Sequence, residues 1–239
     1  MGRIGNIVSR KNKQDSKKAG LFTKLGRYIM VAAREGGGDP EYNSSLMSAI
    51  EKAKAANMPN DNIDRAIKKG VGELDGAQFT QVHYEGYGPG GVAVLVECLT
   101  DNLNRTAGGV RSYFAKIGGN LGTNGCVSYL FDHAGVLVID RDETMDEDEV
   151  MMLALDAGAE DFASEEDHFE IYTSVEEFGS VRDALKEEGF SFSMAELRYL
   201  PQNSVTLTSE EDLKNMQKLM DLIEEDDDVQ NVYSNWDLA

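Results

Sequence analysis

Hydrophobic positions in the first third of the chain follow a helical period. From about Lys17, Leu21, Leu25, Ile29 and Ala32 fall on one face, with Phe22 and Ala33 beside it. Gly36-Gly37-Gly38 predicts the end of that helix, and Asp39-Pro40 a turn. A second helix is predicted from Asn43 or Ser44 to Asn57, burying Leu46, Ile50 and Ala53, with Met58-Pro59 as its breaker. Asn60 or Asp61 caps a third, which turns Ile63 and Ile67 inward. Lys68 and Lys69 suit its negative end, and Gly70 closes it. Three short helices predict a small bundle, with Val71–Gln78 as a linker. Residues 1–15 carry no sustained apolar period and predict a mobile arm.

The pattern then alternates as strands do. Phe79–Tyr87 and Val92–Leu99 predict two strands joined by a tight turn at Gly88-Pro89-Gly90-Gly91. Asn104 is expected to cap a helix with Val110, Phe114 and Ile117 inward, and Cys126–Phe131 to form the next strand. After it come Gly135–Asp140 (strand), Asp146–Asp156 (helix), Ala159–Ala163 and Phe169–Thr173 (strands), Val175–Glu188 (helix) and Ser193–Leu200 (strand). That β-α-β-β-α-β order predicts a split βαβ, or ferredoxin-like, unit. A long helix, Ser209–Glu225, with Leu213, Met216, Met220 and Ile223 inward, and a strand, Val229–Trp236, finish the chain.

The part before residue 133 lacks one helix and one strand, and the C-terminal part supplies both. The fold class expected is therefore α+β with three domains. These are a basic N-terminal helical domain, 1–75, and a discontinuous α+β domain, 76–133 plus 201–239. A ferredoxin-like domain, 134–200, is inserted in the latter.

Composition adds a partner class. The protein has 239 residues, 23 Lys/Arg and 43 Asp/Glu, for a net charge of −20. Residues 1–70 nevertheless carry 14 Lys/Arg against 7 acids, and residues 71–239 carry 9 against 36. A cationic end on an acidic chain is the footprint of polyanion binding, and nucleic acid is the commonest polyanion. The residues expected to bind it are Arg3, Arg10, Lys11, Lys13, Lys17, Lys18, Lys24 and Arg27. Lys13, Lys17, Lys24 and Arg27 can line one side once the first helix forms, opposite its apolar stripe. Arg105, Arg111 and Lys116 form a smaller basic group, either a second contact or a solvated helix face. Phe22 and Tyr28 are the aromatic residues beside the main group, so base stacking is expected to be secondary to phosphate contact.

Other chemistry is thin. His83, His133 and His168 stand apart and lack metal-ligand spacing, so no metal or cofactor is expected. The glycine-rich Gly86–Gly91 run joins two strands, with no helix N-terminus to cradle phosphate. Acids from Asp142 to Glu149 fit a helix start, and Glu165-Glu166-Asp167 a solvated turn. Glu224–Asp228 is different. Acids at the negative pole of a helix are unfavourable, and their expected role is either solvation or contact with a basic surface, the chain's own N-terminal arm included. Cys98 and Cys126, in apolar runs, predict reduced, buried thiols, hence a cytoplasmic protein. No apolar run approaches the ~20 residues of a membrane span, and no secretory h-region opens the chain.

Four stretches carry a resemblance: GLFTKLGRYIMVAAREGGGDPEYNSSL, AIEKAKAANMPNDNIDRAIKKG, YEGYGPGGVAVLVECLTDNLNRTAGGVRSYFAKIGGNLGTNGCVSYLF and DDDVQNVYSNW. The chain resembles the YebC/PmpR family over almost its whole length, most specifically at Asn57–Gly70 and Asp101–Thr106. The resemblance implies a helical N-terminal domain and two α+β domains. It also implies a non-enzymatic, cytoplasmic, DNA-binding transcriptional regulator. Bacterial and mitochondrial relatives are also described as translation factors at the ribosome that relieve stalling, for example at proline runs. One departure is visible. The family's usual Gly-His-Ser-Lys-Trp-like start is replaced here by Gly2-Arg3-Ile4-Gly5, so no role of that segment is carried over. The expected partner is thus DNA, or ribosomal RNA as the alternative, with basic proteins on the acidic domains. Release of self-inhibition by the acidic tail would make residues 1–75 alone bind DNA more tightly than the whole chain.

Overall fold

The structure, a computed structural model, describes residues 18–142 and 144–237, with backbone alone for residues 18 and 19. The arm expected over residues 1–15 lies outside the described residues. The fold is α+β, with seven α-helices among the described residues, two four-stranded antiparallel sheets and one two-stranded parallel pair. Two compact units emerge, one spanning 129–204 and the other the chain on either side of it.

The flanking unit begins with α1 (Lys18–Gly36), α2 (Ser44–Ala55) and α3 (Asn60–Gly70). Their core is Ile29, Ala32 and Ala33 of α1, Leu46, Ala49 and Ala53 of α2, and Ile63 and Ala66 of α3, with Met58 between the last two helices. Asn43 caps α2 by accepting from the Leu46 amide, 3.0 Å, and its Nδ2 donates back to the carbonyls of Ala32 and Gly37, both 2.8 Å. One buried side chain therefore starts α2 and ties down the end of α1. Helix α2 stops two residues short of the expected Asn57. There Asn57 turns left-handed (φ 60°), and its amide and that of Met58 bond the Lys54 and Ala53 carbonyls, a Schellman closure. Gly70 lets α3 lie against α1, since a Cβ there would stand 2.5 Å from the Met30 carbonyl oxygen.

Next come β1 (Thr80–Tyr87), β2 (Ala93–Thr100), α4 (Leu103–Lys116) and β3 (Asn120–Leu121). After the 129–204 unit follow β8 (Val205–Thr206), α7 (Glu210–Glu224), β9 (Val229–Ser234) and β10 (Trp236–Asp237). The sheet order is β3-β1-β2-β9, all antiparallel, with a bulge in β9 opposite Glu97 and Cys98. Every residue of β2 is buried, as its unbroken apolar run predicts.

Two expectations are corrected here. Asn102, not Asn104, caps α4 by accepting from the Arg105 amide at 3.0 Å. The run Cys126–Phe131 is not a strand up to Leu130. Buried Glu85 on β1 takes the amides of Gly125, Val127 and Ser128 at 2.8, 2.8 and 2.9 Å, so a side chain replaces the neighbouring strand those amides would otherwise need. The short β3 occupies the sheet edge instead.

The other unit contains β4 (Phe131–Asp140), α5 (Glu147–Asp156), β5 (Asp161–Ser164), β6 (His168–Thr173), α6 (Phe178–Glu187) and β7 (Met194–Pro201). Its sheet order is β5-β6-β4-β7, the split βαβ arrangement. Leu137, Ile139, Phe169 and Ile171 pack against Val150 and Ala154 of α5 and Val181 and Leu185 of α6. On the other sheet face, His168 lies between two carboxylates, Asp167 at 2.5 Å and Glu170 at 3.1 Å, and Tyr172 donates to Glu170. Burial lowers the His168 pKa, but those two carboxylates outweigh it and hold the imidazole above its ordinary value.

Candidate nucleic-acid interface

Of the eight basic residues expected to hold nucleic acid, Arg3, Arg10, Lys11, Lys13 and Lys17 lie outside the described residues. Lys18 opens α1. Lys24 and Arg27 are one turn apart on α1, as the helical period requires, and both are engaged within the chain.

Lys24 Nζ donates to the Glu224 carbonyl at 2.7 Å, capping the last turn of α7 with a cation. Burial pulls its pKa down, against the upward pull of Glu224, Asp226 and Asp227. Arg27 Nη1 donates to the Asp228 carboxylate at 2.7 Å, the Asp227 carbonyl at 2.6 Å and the Leu99 carbonyl at 3.1 Å. Its guanidinium carbon lies 5.1 Å from the centre of the Phe79 ring.

Asp228 is the hub of this junction and is buried. It also accepts from Arg105 Nη2 at 2.8 Å, Thr106 Oγ1 at 2.7 Å and Thr100 Oγ1 at 3.3 Å. Burial alone raises its pKa, yet the bonds from Arg105, Thr106 and Arg27 hold it below the usual carboxylate range. Tyr113 donates to Asp226 at 3.0 Å. The acidic run 224–228 thus meets basic groups of α1 and α4. Of the smaller basic group, Arg105 is tied to Asp228 and Asp101, Arg111 is exposed, and Lys116 lies over the Tyr113 ring.

Sequence reasoning did not single out a second set of residues. Asn62, Arg65 and Lys69 share one face of α3 at i, i+3 and i+7, a spacing that the sequence does display. They border an open groove of about 450 Å³ between α1 and α3, floored by Phe22, Met30, Met58 and Phe79. Among the described residues, neither Arg65 nor Lys69 makes an ion pair. No group of His, Cys, Asp or Glu among the described residues is placed to hold a metal ion. No helix among them is long and apolar enough to cross a membrane.

The chain as a whole matches a known class. Residues 2–73 match the TACO1/YebC protein N-terminal domain, and residues 79–236 match the TACO1/YebC second and third domain. This chain belongs to the TACO1/YebC family. It is 59% identical to a probable transcriptional regulatory protein of Clostridioides difficile, with all of both chains covered. It is 57% identical to one of Geobacillus kaustophilus, over 97% of this chain and 94% of the relative. Its fold matches the crystal structure of the conserved hypothetical protein Aq1575 from Aquifex aeolicus. That chain is 47% identical, with a TM-score of 0.83 over 93% of this chain and 91% of the other.

Proposed function

We propose that this protein is a non-enzymatic, cytoplasmic nucleic-acid-binding regulator of transcription, whose N-terminal helical domain grips the phosphate backbone. The observation that carries the reading is charge: 14 Lys/Arg against 7 acids in residues 1–70, on a chain otherwise carrying 9 against 36. The regulatory names of full-length relatives support it. Arg3, Arg10, Lys11, Lys13, Lys17 and Lys18 supply the phosphate contacts. Lys24 and Arg27 join them only after release from the acidic run. The working division is 1–75, 76–133 with 201–239, and an inserted 134–200.

Footprinting on a defined promoter at physiological salt tests the reading. Protection of that promoter and not of scrambled DNA is the expected result, and protection of neither removes the reading. One observation favours a second reading, a translation factor at the ribosome. A body with 36 acids is repelled by bare duplex DNA but suits the basic proteins that surround ribosomal RNA. Co-sedimentation with ribosomes that survives DNase treatment supports that role.

A further inference from the structure

We propose that the groove between α1 and α3 receives an unpaired nucleotide, so that the protein prefers single-stranded nucleic acid to duplex. The inference rests on the nucleic-acid reading above and adds the form of strand that is taken.

The groove combines two features. Its floor is apolar and partly aromatic, from Phe22 and Met30 of α1, Met58 after α2, and Phe79 before β1. The groove is an open recess of about 450 Å³, roomy enough to admit one base. The rim is cationic: Arg65 and Lys69 lie one turn apart on α3, and no acid among the described residues lines the groove. Arg27 is fixed in the wall by Asp228, which leaves Arg65 and Lys69 to meet an incoming anion.

A hydrophobic ligand alone needs no such rim, and phosphate alone needs no such floor. A nucleotide presents both, a flat apolar base and a phosphate one sugar away. Asn62, one turn before Arg65, offers an amide that donates and accepts at a base edge. In a duplex the base faces are stacked and unavailable, so only an unpaired base fills the floor. Phe79 joins Phe22 only through the fold, which is why base stacking looks secondary from the sequence.

The test uses the full-length protein and fluorescence anisotropy at physiological salt. The probes are labelled 12-nucleotide RNA and DNA strands, their blunt duplexes, and the same strands with a central abasic position. Single strands are expected to bind at least tenfold more tightly than duplex, with the RNA and DNA arms showing which sugar is taken. An abasic position is expected to weaken binding about tenfold, the usual scale for loss of one stacked base. The double variant Arg65→Glu, Lys69→Glu changes residues at the rim and is expected to abolish the preference for single strands. Phe79→Ala is expected to lower single-strand affinity by a larger factor than duplex affinity. Equal affinity for single-stranded, abasic and duplex probes overturns the inference and leaves the nucleic-acid reading standing. A preference that survives the double variant places the site elsewhere and also overturns it. Failure to bind any probe removes both.

Discussion

Asn57 is the one non-glycine residue with a left-handed backbone among the described residues. Asparagine tolerates that region better than residues with an alkyl Cβ, and glycine tolerates it best. Asn57→Ala is therefore expected to lower stability by about 1 kcal/mol, and Asn57→Gly to leave it unchanged or slightly raised, in urea denaturation. Glu85 works at the same scale. Burial raises its pKa, but the three backbone amides it receives outweigh that and hold it low. A depressed carboxylate contributes stability above its unfolded pKa, about 4, and loses it as pH falls through the folded value. Glu85→Gln should accordingly cost about 2 kcal/mol at pH 7, with the gap to the parent protein closing below about pH 4. Met58-Pro59 announces the break after α2, but nothing local marks Asn57 as left-handed. Nothing local marks Glu85 as buried either, because its partners lie about forty residues away in the chain.

At the scale of elements, the contact of α1 with the C-terminal end of α7 and the start of β9 decides how the helical segment is held. Asp228 and Arg27 are both largely buried, with side-chain exposures of 6% and 14%. Asp228→Ala leaves the buried Arg27 guanidinium without its carboxylate and should cost about 3 kcal/mol, whereas Arg27→Ala should cost less, because Asp228 keeps Arg105, Thr106 and Thr100. The double variant should cost much less than the sum. Arg105→Ala should cost less than either, because its guanidinium is half exposed. Urea denaturation of the four variants checks the ranking. In the other unit the sign of the pH effect reverses. His168 has a raised pKa, so its contribution is complete below about pH 6.5 and is lost as pH rises through the folded value. The loss of thermal stability in His168→Gln should be larger at pH 6 than at pH 8.5. Periodicity made all seven described helices legible, along with the longer strands. The two-residue strands β3 and β8 have too few positions to show any period.

At the scale of the whole molecule, the proposed binding makes both affinity and its salt dependence follow from charge asymmetry. If about five phosphates are neutralised on a duplex, log K falls against log salt with a slope of about −4 to −5. The exposed acids Glu225 and Asp227 border the α1 contact, within a Debye length of its cations. Glu225→Gln with Asp227→Asn should raise affinity for a phosphate polymer several-fold at low salt and have little effect near 1 M. Anisotropy titrations over a salt series measure both quantities.

Amphipathic period, breaker residues and charge distribution are local properties, so the sequence by itself determined the α+β class, the order of the long elements and the basic N-terminal end. Which cations stay available was decided by tertiary structure, because Lys24 and Arg27 meet their acidic partners some 200 residues further along the chain. The groove was decided in the same way. Phe22, Arg65, Lys69 and Phe79 converge on one recess only after α3 packs on α1 and the chain turns back past them, and no spacing rule spans those distances.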